Sequence, residues 1–88
     1  MALTKISKEQ LEDILAKQSH HRDISLREVS FADMDLCGFK LSGIDFTLSS
    51  FQNVRLDGAD FSGAVIENVL LDGCSMKRAV FRNADMTT

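Results

Sequence analysis

Few side chains in this 88-residue chain are equipped for chemistry, and their spacing decides against most of it. The adjacent pair His20–His21 could hold a metal or act as a base. Neighbouring histidines in one short link rarely share an ion, and no cysteine or carboxylate cluster stands at ligand spacing. A polar linker is the expected role. Cys37 and Cys74 could supply thiolates, but two cysteines make no disulfide framework in a chain this long. They fit a reducing compartment. Asp35, Asp45, Asp60 and Asp85 recur at multiples of five residues and read as a solvated wall. No glycine-rich phosphate loop, nucleophile elbow or paired-carboxylate cleft is visible. The expectation is a protein that is not an enzyme and uses no cofactor and no metal.

Composition narrows the classes further. A hydrophobic content of 44% suffices for one small domain, and the net charge of −3 opposes a binder held by nucleic-acid phosphates. No apolar run approaches the ~20 residues needed to cross a bilayer. The opening "MALTKISKEQ" lacks the apolar stretch of a signal peptide. A soluble, cytoplasmic protein is expected, with no membrane contact.

The elements that position these residues follow two grammars. Over residues 1–23, "ISKEQLEDILAKQ" predicts a helix of about three turns, closed by a linker. Ser7 and Gln10 have capping-box spacing, and Ile6 and Leu11 have hydrophobic-staple spacing. Leu11, Ile14 and Leu15 form one narrow apolar stripe, which has to dock on something because so short a helix is marginal alone.

Over residues 24–88 a five-residue period takes over, as in "LDGADFSGAVIENVLLDGCSM". Its centres are Leu26, Phe31, Leu36, Leu41, Phe46, Phe51, Leu56, Phe61, Ile66, Leu71, Met76, Phe81 and Met86, all large and apolar. Two residues before each centre stands a second apolar set, broken only by Ser49. Two residues after it stand Gly, Asn or Asp at most units, and every glycine of the chain has this phase. A helix advances ~500° in five residues, so the centres would never share a face. A very short strand, with centre and preceding apolar residue pointing the same way, followed by a corner built on Gly, Asn or Asp, satisfies the pattern. Such strands cannot stand alone, and a fixed period points to an all-β solenoid with one continuous core.

"LDGADFSG" and "FRNADM" resemble the Ala-Asp/Asn-Leu/Phe-x-x unit of the pentapeptide-repeat family, in unbroken phase over residues 24–88. The resemblance implies a right-handed quadrilateral parallel β-helix with four units per coil. Residues twenty apart then stack, for example Phe31, Phe51 and Leu71, in a rod of about three coils and ~16 Å. It also implies that Cys37 and Cys74 share a face two coils apart and point in opposite directions, which forbids a bridge. Ile24, Met34, Phe39 and Ile44 replace the usual small residue and crowd the early coils. The Leu11/Ile14/Leu15 stripe becomes the lid of the open first coil, an N-terminal α-helical cap.

A filled solenoid offers no pocket, so a bacterial-type, non-enzymatic protein-interaction module is the expected function. The alternatives implied by the family are a DNA-mimicking modulator of gyrase or another type II topoisomerase, and a module of a secreted effector. A mimic needs a continuous acidic stripe, but Arg27, Lys40, Arg55, Lys77, Arg78 and Arg82 dilute the outward positions. Val65, Leu70 and Val80 occupy an otherwise polar outward phase near the C-terminal end, where no lid follows Met86. These four residues are the candidate interface, for an end-to-end homodimer or for a partner protein covering the same surface.

Overall fold

The computed structural model describes residues 3–17 and 24–86. Helix α1 (Lys8–Lys17) follows the two-residue strand β1 (Thr4–Lys5). Its start is the capping box in full: the Ser7 N–H donates to Gln10 Oε1 at 2.7 Å, and the Gln10 N–H donates to Ser7 Oγ at 3.1 Å. His20 and His21 lie outside the described residues.

From Ile24 onward the chain winds as a parallel solenoid. Strands β2 (Val29–Ala32), β3 (Ser50–Gln52) and β4 (Leu70–Asp72) pair in order, with Ser30 opposite Ser50 and Ser50 opposite Leu70. Isolated bridges such as Asp35–Arg55, Lys40–Asp60 and Val65–Asp85 keep the same twenty-residue offset on the other walls. Five-residue units therefore return to register every fourth unit. The corner residue is what permits this. Each described residue at the third position has positive φ, not only the glycines and Asn or Asp but also Glu28 (56°), Leu48 (64°) and Arg78 (61°). The last three lie outside the corner chemistry expected from the sequence, and they adopt the turn because the residues flanking each corner are held in register with a neighbouring coil.

The ladder has a direction. Where a following coil is described, the central and corner residues donate their N–H groups to it, as Leu36 does to Arg55 O (2.8 Å) and Gly38 to Asp57 O (2.9 Å). The residue before each centre donates backward, as Arg55 does to Met34 O (3.0 Å). A unit thus turns two N–H groups and one C=O toward the C-terminal end, and the reverse toward the N-terminal end.

The centres fill the interior. Leu26, Phe31, Leu36, Leu41, Phe46, Phe51, Leu56 and Phe61 are buried. Phe31 stacks on Phe51 (centroids 4.6 Å apart, 13°) and Phe61 on Phe81 (5.2 Å, 2°), while Phe46 meets Phe31, Phe51 and Phe61 edge-on. Burial fades toward the C-terminal end. Ile66, Met76 and Phe81 are half-buried, and Leu71, expected in the core, is 41% exposed because no described coil covers it.

At the opposite end β1 extends the sheet beyond β2, with Thr4 N–H donating to Glu28 O and Ile6 N–H to Ser30 O. Leu11 is fully buried in the same cluster as the coil centres, with Ile14 and Leu15 half-buried against it. Of the crowded early positions, Ile24 and Ile44 are buried. Met34 and Phe39 are half-buried, with the Lys8 ammonium 5.7 Å from the Phe39 ring.

Candidate functional site

The solenoid walls are stitched by side chains that act on the backbone. Asp35, Asp45 and Asp60 each accept the N–H two residues on, from Cys37, Thr47 and Ser62 respectively. Asp57 reaches across to the next coil, accepting from Ser75 Oγ (2.6 Å) and the Lys77 N–H (2.9 Å). Those two bonds hold its carboxyl below the usual range, and the Ser62 hydroxyl and N–H do the same for Asp60. These aspartates therefore maintain the walls.

The following coil brings Arg55 beside Cys37. The Cys37 N–H donates to the Asp35 carboxylate at 3.0 Å; the Asp35 pKa is lowered, and the neighbouring carboxylate raises that of the Cys37 thiol. Arg55 bridges Asp35 (3.6 Å) and Asp57 (3.4 Å). A thiol held protonated by a neighbouring carboxylate is a poor nucleophile. Cys74 bonds to Phe51 O (3.4 Å), and both cysteines are free. Among the described residues no cluster of His, Cys, Asp or Glu could hold a metal, and no helix is long and apolar enough to cross a membrane.

Exposed large apolar side chains gather toward the last described coil. Leu70 (58% exposed), Val80 (42%) and Met86 (51%) face solvent there, whereas Val65 is half-buried in its pairing with Asp45 and Asp85. Leu71 adds to the exposed set. Beneath these residues lies a narrow apolar crevice lined by Phe61, Ile66, Met76 and Phe81, with room for no more than a water molecule. Sequence reasoning missed Leu48 (45% exposed), although an apolar residue at the corner phase was the available signal.

No curated protein matches the chain. Among solved structures it is similar to HetL, a pentapeptide repeat protein involved in heterocyst differentiation regulation from the cyanobacterium Nostoc sp. Strain PCC 7120. The identity is 20% and the TM-score 0.33, over 66% of this chain and 38% of that one, so the chain spans well under half the length of that neighbour. The family model for pentapeptide repeats matches in 8 copies over residues 24–68 and 59–87, the same stretch in which every coil returns to register after twenty residues. The chain belongs to the pentapeptide-repeat family, whose right-handed β-helix is the solenoid seen here.

Proposed function

We propose that this protein is a non-enzymatic protein-interaction module, bacterial and cytoplasmic, that binds through its C-terminal end. In this reading residues 1–23 form the helical cap and linker, and residues 24–88 form the three-coil β-helix. One observation carries the reading. Leu11 is wholly buried at the N-terminal end, whereas Leu70, Leu71, Val80 and Met86 are between 41% and 58% exposed at the other. Large apolar side chains gathered around an open core favour cover by another protein surface, either a second copy packed end to end or a different chain. The topoisomerase-mimic alternative draws no support from the walls, where Arg55 interrupts Asp35 and Asp57.

Sedimentation tests the self-association arm. A dimer predicts a sedimentation coefficient that rises with concentration in the wild type. Leu70→Asp/Val80→Asp should then stay at the monomer value with an unchanged circular dichroism spectrum. A wild type that remains monomeric at high micromolar concentration removes the second copy and leaves a different protein as the occupant.

A further inference from the structure

From Ile24 to Ala64 the residue two before each centre is buried, apart from Met34 and Phe39, which are half-buried. Both belong to the first coil and border the start of the N-terminal cap. The Lys8 ammonium lies 5.7 Å from the Phe39 ring. Met34 lines one open groove with Ile6, Ser7 and Gln10. Ile6 and Met34 are both packed against the buried cluster that contains Leu11.

The cap depends on this apolar packing. Both residues of β1 are exposed, so the strand itself buries no side chain. What holds the segment to the first coil, besides backbone bonds such as Ile6 N–H to Ser30 O (3.3 Å), is Ile6, Leu11, Ile14 and Leu15 against the core. Of the two residues that border its start, Phe39 is chemically inert and Met34 is not. A thioether is apolar and adaptable, and its sulfoxide is polar.

We infer that Met34 is a redox-sensitive contact of the cap: oxidation of its sulfur by a peroxide frees β1 and the start of α1 from the first coil, and reduction of the sulfoxide closes them again. The groove is the route by which the oxidant reaches the side chain. The sulfur attacks one oxygen of hydrogen peroxide, the S–O bond forms, the O–O bond breaks, and the second oxygen leaves as water. Sulfur gives up two electrons and the peroxide takes them. The new oxygen needs a hydrogen-bond donor, and an apolar neighbour such as Ile6 offers none. Opening toward water satisfies it. This device operates at the end of the solenoid opposite the proposed binding surface and does not rest on that reading.

The full chain is treated with hydrogen peroxide, sulfoxides are located by peptide mass spectrometry, and amide hydrogen exchange is followed by NMR. Expected are a sulfoxide at Met34 and several-fold faster exchange at Thr4, Ile6 and Leu11. Leu56 and Phe61 should keep their rates, because their N–H groups donate to Ser75 O and Val80 O in the following coil. Methionine sulfoxide reductase should restore the slow exchange. Met34→Leu, close in volume, should keep the cap closed and abolish its response to peroxide, although Met76 and Met86 are still present. Met34→Gln should speed exchange at the same three amides with no oxidant. A Met34 that stays unoxidised in the folded chain, under peroxide that converts it in the urea-unfolded chain, would overturn the inference. So would a sulfoxide that leaves the cap amides unchanged, which would make Met34 a mere filler of space. A peroxide response retained in Met34→Leu would assign the effect to another methionine. Slow exchange in Met34→Gln would show that polarity at this position does not loosen the cap.

Discussion

Ser49 and Val29, one coil apart, are joined by a buried hydrogen bond: the Val29 N–H donates to Ser49 Oγ at 3.1 Å. The same hydroxyl donates to Leu26 O. At several other corners the corresponding N–H closes a turn onto the carbonyl three residues back, as Ala59 does onto Leu56 (3.1 Å) and Ala64 onto Phe61 (3.0 Å). The corner at Glu28 lacks that bond, and the Ser49 hydroxyl stands in for both partners. Ser49→Ala would match the small apolar residue usual at this phase, yet it should destabilise by about 1–3 kcal/mol because it leaves a buried donor and acceptor unpaired. Urea unfolding measures this. A variant as stable as wild type would show that the bridge contributes nothing.

Phe51 is buried and stacked on Phe31, with Phe46 against its edge. Phe51→Ala should cost roughly 3–5 kcal/mol, a large part of what a domain of this size has. Leu71 continues the same column but is 41% exposed, so Leu71→Ala should cost less than about 1.5 kcal/mol. Equal losses at the two positions would mean that the column is covered in solution at its C-terminal end.

The period made the wall, the column and the inward face of each centre legible before any coordinates. Period two within a unit and a compulsory corner between units leave a chain few other ways to bury Phe31, Phe46, Phe51 and Phe61 together. The capping box at Ser7 and Gln10 was equally local, since both partners lie within one helical turn. Position along the rod was not legible. Leu71 and Phe51 have the same phase, and only the number of coils above and below each decides which is buried. Cross-coil partners such as Asp57 with Ser75, or Ser49 with Leu26, are about twenty residues apart and follow from register rather than from motif.

Corners should respond to substitution in opposite directions. Leu48 holds φ at 64°, a left-handed state that costs a β-carbon about 1–2 kcal/mol. Leu48→Gly should therefore raise stability, with a melting temperature several degrees higher. Gly73 holds φ at 67°, and a Cβ there would stand 2.5 Å from Asn53 Oδ1. Asn53 is itself engaged with Asp33 at 3.3 Å, so it cannot yield without losing that bond. Gly73→Ala should lower the melting temperature. Scanning calorimetry on the pair tests the corner argument, which fails if both variants move the same way.

Acid should weaken the walls in a defined window. Asp35, Asp57 and Asp60 all have pKa values below the ordinary aspartate value in the folded chain, held there by Cys37, by Ser75 with Lys77, and by Ser62. The unfolded chain then binds more protons at low pH, so their contribution is fully present above the unfolded aspartate pKa of about 4 and is lost as pH falls through the lower folded values. Stability measured by urea unfolding should be flat in these three groups between about pH 5 and 7 and decline below about pH 4. Asp57 is the most informative of them because its two bonds join adjacent coils at Ser75 and Lys77. Asp57→Asn removes the titrating group while keeping an oxygen able to accept from both donors. The variant should be less stable than wild type near neutrality, with a shallower acid limb, so that the two curves converge as pH falls. Parallel curves over the whole range would show that Asp57 is not held in its charged form by the next coil.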